Sequence, residues 1–180
     1  MRPVDELSRL LLLARDGDDS ALADFVREMH APIRRFCTYL VGPDDADDAA
    51  QETFLAAWRA LPTFRGDSSA KTWLFVIARR SADRVVRRRG RWRELANGVP
   101  GPAPVPHPET ASEPYELLSG LELDRRVPFV LTQIIGLSYA EAAAICECPI
   151  GTIRSRVARA REELVEQRAE RDRADGSSTR

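Results

Sequence analysis

A chain of 180 residues with 43% hydrophobic side chains can bury the core of one domain or two small ones, and that content excludes wholesale disorder. Its 27 Lys and Arg against 28 Asp and Glu leave a formal net charge of −1, which taken whole argues against nucleic-acid binding. No apolar run is long enough to span a bilayer, and acidic residues interrupt the N-terminal MRPVDELSRLLLLARDGD where a signal peptide would be apolar, so a cytoplasmic protein without membrane insertion is expected.

The charge is segregated along the chain. Asp44, Asp45, Asp47, Asp48 and Glu52 form one block, and Arg79, Arg80, Arg84, Arg87, Arg88, Arg89, Arg91 and Arg93 another, so separate faces and separate partners are expected. Apolar residues recur at helical spacing over 5–14, 20–41, 44–61 and 69–89, with breaks at Gly17–Asp18, Gly42–Pro43, Pro62 and Gly66–Asp67. No stretch sustains strand alternation, which predicts an all-α fold. From about 94 to 114 six prolines fall in a segment with almost nothing to bury, the composition of a linker that holds two domains apart. The expected organisation is a helical domain over 1–93, a Pro-rich flexible linker over 94–114, a second small helical domain over 115–166 and a disordered tail over 167–180.

In the third helix Asp47, Asp48, Gln51, Glu52, Leu55 and Trp58 line up carboxylates and an amide beside a large aromatic, a pattern that can grip a helical protein partner. The same residues are also what a helix dipole favours at an N-terminus, with Phe54, Leu55 and Trp58 in the core, and the pattern alone favours that second reading. The following Gly66, Asp67 and Ser68 open a fourth helix. Such a loop offers backbone groups and small side chains to a flipped base, or is simply a turn capped by Asp67 or Ser68 with Trp73 buried.

The segment SYAEAAAICECPIGTIRSRVARAR, Ser138 to Arg161, is the most specific. Ser138 and Glu141 make a capping box, a turn falls around Glu147 and Cys148, and Pro149 suits the first position of the next helix. Ile153, Val157, Ala160 and Leu164 recur on one face, and Arg154, Ser155, Ala158 and Arg159 on the opposite one. Arginines among small side chains suit a helix lying in a major groove, because Arg bonds a guanine edge bidentately and Ala meets a thymine methyl. Thr152, Arg156 and Arg161 flank that stripe within reach of phosphates. The bland alternative is a helical hairpin with a solvated basic face; cap, turn, small crossing residues such as Ala142 and Ala143, and sorted arginines together favour a helix-turn-helix.

Enzymatic chemistry finds little support. His30 and His107 are the only histidines, no glycine-rich phosphate loop follows a strand, and no nucleophile has a base at a recognisable spacing. Cys37, Cys146 and Cys148 do not make a disulfide framework, and two thiols in a turn without His partners are a weak metal signal, so neither a metal nor another cofactor is expected.

Two runs, DDADDAAQETFLAAWRALPTFRGDSSAKTWLFVIARR and GLSYAEAAAICECPIGTIRSRVARAREEL, resemble bacterial extracytoplasmic-function (ECF) sigma factors of the sigma-70 family, in the family's order and with a linker of suitable length between them. The second is most similar to an actinobacterial sigma-C-like group. The resemblance implies a promoter-specificity subunit that binds core RNA polymerase, reads upstream (−35) and downstream (−10) promoter elements and promotes melting. It makes 1–93 similar to region 2 and 115–166 to region 4. It implies that Asp47, Asp48, Gln51, Glu52, Leu55 and Trp58 face the clamp helices of the polymerase largest subunit, and that the flap of the second subunit, promoter DNA and an anti-sigma factor are further partners. For the −10 element it implies Gly66, Asp67, Ser68, Lys71, Trp73, Arg80 and Arg84, with a core role for Trp73 and phosphate binding by the two arginines left open. Trp92 is unassigned. For the −35 element it implies Thr152, Arg154, Ser155, Arg156, Ala158, Arg159 and Arg161. The competing class is a free-standing helix-turn-helix regulator whose first domain senses a ligand or dimerises.

Overall fold

The computed structural model describes residues 5–96 and 113–177, and every regular element among them is helical. They fall into two units, Met1–His107 and Pro108–Arg180. In the first, α1 (Glu6–Arg15) starts at Asp5, whose carboxylate accepts from the Ser8 amide at 3.0 Å, and α2 (Asp19–Val41) starts at Asp18, which accepts from the Ala21 amide at 3.0 Å. Phe25, Met29, Ile33, Phe36 and Leu40 repeat every three or four residues on α2 and are fully buried. Each contributes about 1.5–3 kcal/mol by leaving water. Pro32 sits inside α2 and has no amide for the preceding turn.

Gly42, at φ 94°, ends α2, and Pro43 follows at the start of α3 (Pro43–Ala60), its fixed φ suiting a first turn. Ala46, Ala49, Ala50 and Ala57 let α3 approach α2 closely. A 3₁₀ turn, Leu61–Thr63, leads through buried Phe64 and the Gly66 loop into α4 (Ala70–Ala96). Phe75 of α4 meets Phe36 edge to face at 5.3 Å, closing the core.

Here two sequence expectations need correction. The cap of α4 is Ser69, not Asp67 or Ser68: its hydroxyl accepts from the Thr72 amide at 3.1 Å, while Ser8 of α1 takes the Ala70 amide at 2.9 Å. The helix also passes the expected end at 89 and reaches Ala96, because arginine is a good helix former and the next proline is Pro100. The linker expected over 94–114 falls, for 97–112, outside the described residues, as do the side chains of Arg89, Arg91, Trp92 and Arg93.

The second unit holds α5 (Glu113–Ser119), α6 (Leu123–Phe129), a π-helical turn over Val130–Ile134, α7 (Tyr139–Cys146) and α8 (Ile150–Ser177). Pro128 deprives α6 of an amide, the Thr132 hydroxyl donates to the Pro128 carbonyl at 2.8 Å, and the Ile135 amide reaches the Val130 carbonyl at 2.9 Å to form the wider turn. Ala142 and Ile145 of α7 pack on Ile153, Val157 and Ala160 of α8, over Leu121, Val130 and Leu131, all nearly or fully buried.

Of the tail expected to be disordered from 167, the described part to Ser177 is helical. Gln167, Arg168, Ala169, Glu170 and Arg171 are good helix formers that extend α8, Gln167 lies against Gly120, and Arg171 reaches Glu116 at 3.7 Å.

Candidate functional site

The first unit leaves apolar surface uncovered. Leu55 and Trp58 on α3 are 50% and 56% exposed, too much for core residues. They border a groove of about 510 Å³ whose other wall is Leu22, Val26 and His30 of α2, with Phe54 and Gln51 in between. The Phe54 ring stacks on His30 at 6.2 Å. Asp47 stands at the rim, where Arg34 donates to it at 2.5 Å and holds its carboxyl below the usual carboxylate range. An apolar trough with a charged rim suits the apolar face of a partner helix. The α2 wall was missed in the sequence because Leu22, Val26 and His30 follow the helical spacing that also marks core residues.

Trp73 belongs to this groove as well, half-buried with its ring 5.3 Å from Phe64. Of the two roles left open for it, packing is the one the geometry favours. Glu52, from the same row of α3, lines a separate hollow with Arg80, Arg84, Arg87 and Arg88, where Arg84 Nε donates to its Oε1 at 2.8 Å. Asp48 is exposed on α3 and lines neither.

The Gly66 loop is exposed at Arg65, Gly66, Asp67 and Ser68 but held at both ends. Arg15 donates to the Phe64 carbonyl at 3.1 Å on one side, and Ser69 caps α4 on the other. Gly66 has φ 78° and nothing within 4 Å of where a Cβ would stand, so glycine serves the backbone there rather than making room for a neighbour. Lys71 follows on the first turn of α4, half-buried.

In the second unit both halves of the capping box form: Ser138 Oγ accepts from the Glu141 amide at 3.2 Å, and Glu141 Oε2 accepts from the Ser138 amide at 2.8 Å. Glu147 turns the chain in the left-handed region at φ 55°. Arg154, Ser155, Ala158 and Arg159 emerge together on the exposed face of α8, Thr152 half-buried beside them. Arg154 and Arg159 make no ion pair among the described residues. Two flanking arginines are engaged from within: Arg156 lies 3.5 Å from Asp124, and Arg161 donates to Gln133 at 2.5 Å. Arg125 ties α6 to α8 through Glu163.

Cys37 is fully buried, and burial pushes its thiol up to about 12, with Thr53 opposing through a hydrogen bond. Cys146 and Cys148 are half-buried and belong to no disulfide. Among the described residues no group of three or more His, Cys, Asp or Glu is placed to hold a metal ion, and no helix is long and apolar enough to cross a membrane.

Comparison with known proteins gives two family matches: Sigma-70 region 2 over residues 25–92 and Sigma-70, region 4 over residues 115–164. The chain is 42% identical over 167 residues to the ECF RNA polymerase sigma factor SigC of Mycobacterium tuberculosis, covering 89% of this chain and 90% of that one. It is 34% identical over 179 residues to the ECF RNA polymerase sigma-E factor of Escherichia coli, covering 89% and 94%. Among solved structures, CnrH in complex with the cytosolic domain of CnrY superposes at a TM-score of 0.74 with 28% identity, covering 92% of this chain and 99% of that one. The sigma factor RpoE in complex with the anti-sigma factor NepR from Bartonella quintana superposes at 0.64 with 36% identity, covering 79% and 95%.

Proposed function

Because the chain belongs to the sigma-70 family and its ECF branch, a class of non-enzymatic initiation factors, we propose that it works in the cytoplasm as a promoter-specificity subunit with a division of labour between its units. The groove of α2 and α3 takes core RNA polymerase. Asp47, Gln51, Leu55 and Trp58 form its contact surface against the clamp helices of the largest subunit, with Asp48 at the margin, and the flap of the second subunit lies with the second unit. The observation that carries this is the half-exposed Leu55 and Trp58 pair over an open apolar trough, since a contiguous apolar patch, unlike a single exposed side chain, marks a contact surface.

The Gly66, Asp67 and Ser68 loop captures an unpaired base of the −10 element, and Lys71, Arg80 and Arg84 hold the strand beside it. Held at both ends, the loop is ordered before a base arrives, which lowers the entropy lost on capture. Trp73 supports it through Phe64 rather than wedging the duplex. Strand opening costs unstacking energy and consumes no nucleotide, so captured bases and the arginine-rich α4 must offset that cost by binding.

Arg154 and Arg159 read base edges of the −35 element, with Ser155 and Ala158 allowing close approach and Thr152, Arg156 and Arg161 positioned for phosphates. An anti-sigma factor is a further partner, supported by the similarity to a sigma factor solved with one. Run-off transcription with sigma-free core polymerase tests the whole reading. Promoter-dependent product is expected; tight specific binding of the isolated chain to duplex DNA without any such product would instead make it a free-standing regulator.

A further inference from the structure

The arginine hollow on the first unit holds a carboxylate where a DNA-binding surface has most to lose from one. Arg80, Arg84, Arg87 and Arg88 line it together with Asp83, all from α4, and Glu52 reaches in from α3. Glu52 Oε1 accepts from Arg84 Nε at 2.8 Å and lies 2.8 Å from a terminal guanidinium nitrogen, which also donates to Ser81 Oγ at 3.0 Å. The donor edge of Arg84 that would grip a phosphate through two parallel bonds is therefore already occupied.

The occupant is not locked in. The Arg84 and Glu52 side chains are 55% and 41% exposed, and ion pairs open to water are held weakly and screened by salt. A phosphate oxygen offers the same guanidinium the same kind of acceptor. Arg87 and Arg88 in the same hollow make no ion pair among the described residues, so it keeps positive charge that attracts a second anion even while Glu52 is in place.

We propose that Glu52 is an internal counter-anion of this hollow, exchanged for a backbone phosphate of promoter DNA when α4 docks. This rests on the reading above that α4 faces the promoter, and it moves Glu52 from the polymerase surface to the DNA side. While Glu52 holds Arg84, non-promoter duplex gains less from the basic helix, so affinity depends on the polymerase being attached and on bases being captured.

The test uses holoenzyme assembled from the full chain at saturating core polymerase and a fork-junction DNA carrying the −10 element, titrated at several salt concentrations. Core affinity is measured separately for each variant. Glu52→Gln keeps the shape and removes the charge; it should bind the fork about three- to tenfold tighter at low salt and steepen the salt dependence by about one phosphate's worth. Asp83→Asn removes the same charge from the same hollow, where Asp83 makes no ion pair among the described residues, and should give a clearly smaller gain. Combining Glu52→Gln with Arg84→Ala should erase most of the increase.

Equal gains from Glu52→Gln and Asp83→Asn would overturn the proposal by reducing it to a general field effect. So would an unchanged or weaker fork affinity for Glu52→Gln, and a loss confined to core affinity would return Glu52 to the polymerase surface. If Arg80→Ala with Arg84→Ala left fork binding intact, the promoter-facing reading of α4 would fall as well, whereas failure of Glu52→Gln alone leaves that reading standing.

Discussion

On α8 of the second unit, Arg154 and Arg159 stand exposed without an ion pair among the described residues, whereas on α4 of the first unit Arg84 is bonded to Glu52 and Ser81. The arrangements suit different tasks. A helix that reads base edges needs donors with nothing to displace, because each bidentate bond must favour one base over another. A surface that helps separate strands gains from restraint, since a strong grip on any duplex would hold DNA that contains no promoter. The cores differ in parallel. Aromatic Phe25, Phe36 and Phe75 are buried in the first unit while Leu55 and Trp58 remain exposed, whereas the second has an aliphatic core around Leu121, Leu131, Ile145 and Ile153.

The contrast can be broken first at the thiols. Cys37 lies in the aromatic core with its thiol pushed up to about 12, and Cys146 and Cys148 lie at the helix-turn-helix turn. Alkylation of the native protein should modify the two turn cysteines and spare Cys37, whose rate should be slower by a factor on the order of 10³ or more, the scale set by global unfolding. Mass spectrometry of the labelled chain decides it, and prompt labelling of Cys37 would show that the first core is open.

Next in size is the groove. Trp58→Ala should weaken holoenzyme formation by about 2 kcal/mol or more, as hot-spot aromatics do, with little change in the chain's own melting temperature because the ring is already 56% exposed. A competition titration for core polymerase measures the first and thermal unfolding the second; a large drop in melting temperature with unchanged core affinity would make Trp58 a packing residue.

Arg159→Ala or Arg154→Ala should then cost about 1–3 kcal/mol on DNA carrying the −35 element and relax base preference there. Arg156→Ala, by contrast, should weaken all sequences alike and lower the salt slope by about one, as loss of a phosphate contact does. If Arg159→Ala left promoter preference intact, the assigned groove-facing stripe would be wrong.

The smallest expected effect is acidic. Arg34 lowers the Asp47 carboxyl, so the pair's contribution to stability is present above the carboxylate's unfolded value, about pH 4, and is lost as pH falls through the lower native value. Asp47→Asn should flatten the acid limb of a melting-temperature profile slightly in that window and leave neutral pH almost untouched; an effect of opposite sign would mean that the pair is not made in solution.

The helix-turn-helix was largely legible. Ser138, Glu141 and the sorted faces of α8 follow from local rules that act within one or two helical turns, so a linear string records them, while Pro149 stands one residue before α8, at its cap, rather than at its first position. The groove was only half legible. Asp47, Gln51, Leu55 and Trp58 were named as a row on α3, but their facing wall of Leu22, Val26 and His30 is brought there by the packing of α2. Trp73 and Glu52 needed the structure to place them at all. Both sit on helices with two plausible faces, and the pattern does not say which neighbour each face will meet.

By itself, then, the sequence determined the all-α class, the helix-turn-helix and the family, because helical periodicity, caps and turn residues are short-range and a motif match is a property of the string. The tertiary structure decided that Glu52 lies against Arg84, that Trp73 packs on Phe64, and that α8 continues to Ser177 against Gly120 and Glu116. Each of these depends on which surfaces of separate helices come together. That is fixed by burial of the whole core and not by any one segment's preference.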